Sequence, residues 1–124
     1  MTRLNVTDVR AFVPAKDFVL SKEFYVALGW SLKWGDEHLA LLELAGHRFY
    51  LQNYYAKEWA DNFMLHVTVE DARAWYEHVS SLLAAKGYGD ARVKAPKQEE
   101  YGALVTYVWD PSGVLLHFAQ WNRT

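Results

Sequence analysis

The chain has 124 residues, 52% of them hydrophobic and 16% aromatic, with 13 Lys and Arg against 15 Asp and Glu. That length suits one domain, and that apolar fraction folds rather than staying disordered. A formal charge of -2 offers no basic surface to nucleic acid or an anionic membrane, and the absence of cysteine removes disulfides, thiolate nucleophiles and thiolate metal sites. No apolar run approaches the roughly 18 residues of a spanning helix, and no signal peptide is recognisable. A cytoplasmic protein is therefore expected, with neither membrane nor nucleic acid as a partner.

In chain order, Val6 to Pro14 reads as a strand, with Val9, Ala11 and Val13 on one face and Arg10, Phe12 and Pro14 on the other. Asp17 or Ser21 caps a helix through Lys16–Leu28 that aligns Leu20, Phe24, Ala27 and Leu28 and stops at Gly29. Trp30 to Trp34, His38 to Leu44 and Arg48 to Gln52 are strands separated by turns at Gly35-Asp36-Glu37 and Gly46. Residues 53–62 have no clean period and hold Tyr54, Tyr55 and Trp59, which marks a connector.

Phe63 to Val69 is a further strand. A helix from Glu70 or Asp71 to about Lys86 turns Ala72, Trp75, Val79, Leu82 and Leu83 to the core. A short strand, Ala91 to Ala95, and a charged loop, Pro96 to Glu100, lead to a hairpin. Its strands are Ala103 to Trp109 and Val114 to Ala119, and its turn is Asp110-Pro111-Ser112-Gly113. The order is thus strand, helix and three strands, given twice: modules 1–56 and 61–124 of one domain, 1–124, joined by the connector 53–62. The class is α+β, and two such modules would curl their mixed sheets around a common cleft.

Phe12-Val13-Pro14-Ala15-Lys16-Asp17, Ser21, Phe24-Tyr25 and Leu28-Gly29-Trp30 resemble the opening unit of the vicinal oxygen chelate superfamily. That superfamily includes glyoxalase I, extradiol dioxygenases and the fosfomycin and bleomycin resistance proteins. Tyr101-Gly102 before Asp110-Pro111-Ser112-Gly113 is similar to the close of the same fold. The resemblance implies paired βαβββ modules and a homodimer whose two clefts form between module pairs. In its metal-dependent members it also implies ligands at positions that fall on Arg10, on Met64, near Leu51 or Gln52, and on His117. Arginine has no lone pair to give, and a thioether is a poor ligand for hard or borderline metals. No metal, cofactor or catalytic residue is therefore carried over.

What remains is similar to the bleomycin resistance branch: metal-independent binding and sequestration of a small, partly aromatic organic ligand. The alternative is a metal-dependent lyase or dioxygenase-like enzyme of the same superfamily with relocated ligands. Bleomycin-type ligands are cationic, and a mildly acidic chain with Arg10 in its cleft departs from that pattern. Strand parity puts Arg10, Phe12, Met64, His66, Leu115, His117 and Trp121 in the cleft. Tyr54 and Trp59 either roof it or pack a dimer interface. His66 and His117 either touch ligand or bond within the protein. Arg10 either pairs with a carboxylate such as Asp8 or Glu43, or anchors an anionic or carbonyl-bearing ligand.

Overall fold

Two aspartates start the two long helices. Asp17 accepts from the Leu20 N–H at the head of helix α1 (Phe18–Leu28), and Asp71 does the same for Ala74 at the head of helix α3 (Ala72–Ala85). Gly29 ends α1 at φ 128, a conformation that costs a Cβ-free residue little. The structure is a computed structural model that describes residues 3–123. The other elements are strand β1 (Phe12–Pro14), strands β2 (Ser31–Gly35), β3 (Leu39–Leu44) and β4 (His47–Gln52), a short helix α2 (Lys57–Asn62), and strands β5 (Met64–Thr68), β6 (Arg92–Gln98), β7 (Ala103–Trp109) and β8 (Leu115–Trp121).

The repeat expected from the sequence is present. One sheet runs β1-β4-β3-β2 and the other β5-β8-β7-β6, each with one parallel pair beside antiparallel ones. The curled sheet around a cleft is not: these are two separate, open sheets. No strand of one pairs with a strand of the other, so nothing closes the array. Between the modules lies core rather than cavity. Phe24, Tyr25, Trp30, Phe49, Leu51, Val79, Leu116 and Phe118 form one buried cluster, and Trp75 stacks on Phe118 at 4.5 Å. The two helices meet there, with His78 Nε2 3.1 Å from the Leu28 carbonyl.

Three local differences have plain causes. The first strand is only Phe12–Pro14, because residues 3–9 pair with no strand among the described residues, which leaves Leu4, Val6 and Val9 exposed. Strand β6 runs on through the expected charged loop to Gln98. A bulge between Lys94 and Lys97 lets it pass Pro96, which has no N–H to donate. The connector contains α2, whose N-cap Ala56 makes no side-chain bond and whose Lys57 pairs with Asp61 one turn on. No helix among the described residues is long and apolar enough to cross a membrane.

The turn between β7 and β8 is the clasp between modules. The Asp110 carboxylate accepts the Ser112 and Val114 N–H groups at 2.8 and 3.0 Å, which shapes the turn, and the Tyr25 hydroxyl from α1 at 2.6 Å. Ser112 Oγ accepts the Lys16 N–H at 2.8 Å and lies 3.4 Å from Ser21 Oγ. Burial pushes the Asp110 carboxyl up to about 6, although the Tyr25 hydroxyl and the turn N–H groups pull it down. An acid that holds its proton more tightly when folded destabilises the fold where both states are ionised, and stability returns as pH falls through that window. At roughly 1.4 kcal/mol per unit, wild type should gain about 2 kcal/mol in urea unfolding between pH 7 and pH 4.5. Asp110→Asn should flatten that rise. Tyr25→Phe should cost about 2 kcal/mol at pH 7, because it strips a donor from a buried carboxylate.

Candidate functional site

Direct cross-strand partners share a face, so the register gives the rows on each sheet's outer surface. Across the β5-β8-β7-β6 sheet, one row is Met64, Leu115, Trp109 and Arg92, and the next is His66, His117, Tyr107 and Lys94. The rings of the second row continue into one another. His66 stacks on His117 at 6.4 Å, and the Tyr107 edge meets His117 at 5.0 Å. Trp121 lies 5.7 Å from His66 and 5.5 Å from Tyr101. In the adjoining rows of the same face Ala103, Val105 and Ala119 are fully buried, with Tyr107 packed against them. A band of rings beside small side chains suits a flat apolar ligand.

The polar atoms of this face are directed. The Tyr107 hydroxyl donates to Glu99 at 2.8 Å. Burial raises the Tyr107 phenol above its ordinary range, while the bond from Tyr107 holds Glu99 below the usual carboxylate range. His117 Nε2 lies 3.3 Å from Met64 Sδ. A thioether only accepts, so Nε2 carries the hydrogen of that contact and Nδ1 keeps its lone pair. Partial desolvation, then the neighbouring His66, lower the His117 imidazole below its ordinary value, against the pull of Glu99. His117 is therefore neutral near pH 7.

Arg10 and Phe12 lie elsewhere, on the outer face of the first sheet. There the row is Phe12, Tyr50, Leu41 and Trp34, and Phe12 stacks on Tyr50 at 5.1 Å. Arg10 donates from Nε to Asp8 at 2.7 Å and from Nη1 to the Tyr50 hydroxyl at 2.6 Å. Those bonds raise the Arg10 guanidinium and lower the Asp8 carboxyl. Glu43, the other partner considered for Arg10, is held by Arg48 at 2.6 Å. Tyr54 and Trp59 form a third cluster with Phe63, with ring separations of 6.0 Å. The structure thus groups Met64, His66, Leu115, His117 and Trp121. Among the described residues no hydrogen bond, ion pair or ring contact joins Arg10, Phe12, Tyr54 or Trp59 to them.

Sequence reasoning missed Tyr107, Tyr101, Glu99 and Tyr50. Two of these had a signal. Counting outward from the Asp110-Pro111-Ser112-Gly113 turn sets Tyr107 opposite His117, and counting outward from Gly46 sets Tyr50 opposite Leu41. A broad, shallow recess of about 730 Å³ lies instead at the head of α1, against Lys16, Phe18, Lys22, Asn53 and Asp90. It holds none of the expected residues. Its openness to solvent makes it a poorer binding surface than the ring band, whose rows pack on buried small residues. No cluster of three or more His, Asp or Glu side chains positioned to hold a metal occurs among the described residues.

No protein-family model and no curated protein sequence matches the chain. Solved structures do. A bleomycin-binding protein from bleomycin-producing Streptomyces verticillus, complexed with copper(II)-bleomycin, superposes with a TM-score of 0.79 at 21% identity, over 95% of this chain and 98% of that one. The fold is that of the bleomycin-binding proteins. A bleomycin resistance determinant encoded on a transposon matches with a TM-score of 0.78 at 23% identity, over 95% of this chain and 100% of that one. An antibiotic binding protein from a Streptomyces species matches with a TM-score of 0.74 at 18% identity, over 97% and 100%.

The electrostatic account of His117 has a direct check. In an NMR titration, His117 should protonate below the ordinary histidine range. His66→Asn should raise its midpoint by removing the side chain that disfavours its protonation, and Glu99→Gln should lower it by removing the carboxylate that favours it. Shifts of the opposite sign would refute the arrangement.

Proposed function

We propose that the chain binds a small, planar, partly aromatic organic molecule without metal and without transforming it, and that it acts by removing that molecule from solution. The observation that carries the proposal is the continuous ring band Tyr101–Trp121–His66–His117–Tyr107 beside buried small residues of the same face. Its hydrogen-bonding groups, Tyr107, Glu99 and His117 among them, would orient a ligand. The relatives in fold that bind bleomycin or another antibiotic support the same reading.

The site is half of a cleft in a single chain, so we further propose a homodimer in which a second copy covers each ring band. Leu4, Val6 and Val9 project unpartnered from residues 3–9. Edge strand β5, Met64–Thr68, carries no charge, proline or bulge of the kind that shields β6. The Phe12–Tyr50–Leu41–Trp34 row on the other sheet is an apolar surface of matching kind, so each cleft would pair that face of one copy with the ring band of the other. Arg10 and Phe12 would then line the cleft from the facing copy, while Tyr54 and Trp59 would pack near its end.

Bleomycin and a panel of planar aromatic antibiotics, added to protein dialysed against EDTA, provide the test. A ligand at a hundredfold its Kd stabilises by about 2.7 kcal/mol, a shift of several degrees in Tm. Trp121→Ala and His117→Ala should each abolish most of that shift, and EDTA should leave it unchanged. Equal shifts in all three proteins, or loss of binding with EDTA restored by one metal, would overturn the reading. Sedimentation equilibrium should give twice the chain mass, and a monomer at micromolar concentration would remove the dimer.

A further inference from the structure

Electrostatics distinguishes the two outer sheet faces from the rest of the molecule. The chain as a whole carries 13 Lys and Arg against 15 Asp and Glu. On the two faces proposed to form the cleft the balance inverts: Arg10, Arg48, Arg92, Lys94 and Lys97 stand against Asp8, Glu43 and Glu99. Each of those carboxylates is already engaged. Asp8 holds Arg10 at 2.7 Å, and Glu43 holds Arg48 at 2.6 Å. Glu99 accepts the Tyr107 hydroxyl at 2.8 Å and pairs with Lys97 at 3.4 Å.

Two cations are not so engaged. Lys94 stands opposite Tyr107 in the row of His66 and His117, and Arg92 lays its guanidinium over Trp109 at 4.1 Å from the ring centre. Neither has a carboxylate within ion-pair distance among the described residues. Asp61 and Asp90 share a recess with Arg92 and Trp109 at the Gly113 end of the sheet, outside that distance. Arg92 prolongs the aromatic platform with a flat, charged plane that stacks and bonds in the same geometry. His117 adds no charge near pH 7 and offers an Nδ1 acceptor.

We propose that this site selects planar aromatic molecules bearing a negative charge, such as aromatic carboxylates, phenolates or sulfonates, over cationic ones. The proposal rests on the binding function above and specifies its ligand class. An anion meets Lys94 and Arg92 without displacing any protein contact. Beside the ring band a cation meets carboxylates that are already engaged, Glu99 by Tyr107 and Lys97 and Asp8 by Arg10, and it lies near two unpaired cations.

The test uses three matched probes: anthracene-2-carboxylate, anthracene-2-carboxamide and anthracen-2-ylmethylammonium. Each is titrated calorimetrically into the full chain at low and at high salt. The carboxylate should bind at least about tenfold more tightly than the ammonium at low salt, with the gap narrowing at high salt as screening grows. Arg92→Glu combined with Lys94→Glu should remove or reverse the gap between carboxylate and ammonium, with the circular dichroism spectrum unchanged. Equal or tighter binding of the ammonium by wild type would overturn the proposal and leave the binding function standing. A preference that survives in the double variant would overturn the assignment to Arg92 and Lys94. Binding of none of the three would overturn the binding function, and this proposal with it.

Discussion

The hydrogen bond from Tyr25 to the buried Asp110 carboxylate fixes how the two modules meet. Neither sheet shares a strand with the other, so their relation rests on side-chain packing and on this clasp. A carboxylate buried to that degree is tolerable only because its donors come from two sources, the turn that it shapes and the helix of the other module. Ser112, held by the same turn, reaches the Lys16 backbone just before α1. The geometry of one four-residue turn is thus linked to the start of the first helix across the whole domain.

Filling the space between modules with core has a cost in surface. Each sheet has two faces and only one helix, so the inner faces are covered and the outer ones are not. On the second sheet the chain partly closes that gap itself: Tyr107 packs on the buried Ala103, Val105 and Ala119, and Trp121 meets Tyr101. On the first sheet, Phe12 and Trp34 stay about half exposed, at 47% and 51%. Aromatic surface left open in this way is what a binding site needs before its ligand or its second copy arrives. The absence of a closed cleft within one chain and the presence of ring-lined faces therefore have the same origin.

The sequence carried the local part of this arrangement well. Asp17, Asp71 and Gly29 are caps whose side chains or backbone freedom act within a turn, so they needed no tertiary information. Strand parity grouped His66 with Met64 and His117 with Leu115, while the adjacency of the two imidazoles comes from the parallel pairing of β5 with β8. The length of β1 did not, because an alternating run such as Val6 to Pro14 forms a strand only where a neighbour supplies hydrogen bonds, and residues 3–9 have none here. The inward turn of Tyr25 was hidden too: a phenol on a helix reads as a flank position until the distant Asp110 is placed against it. The curled sheet failed for a related reason, since closure depends on edge-to-edge pairing that periodicity does not report.

Met64 and His117 lie on the same face of the β5–β8 pair, and their side chains meet at 3.3 Å. The thioether takes the Nε2 hydrogen, and the imidazole stacks on His66 and meets Tyr107 edge to face. Because Met64 is 61% exposed, that contact adds little to stability. Its effect is orientation. An imidazole stacked on one ring and set at an angle to another presents both polar and flat apolar surface on the outer face of the sheet.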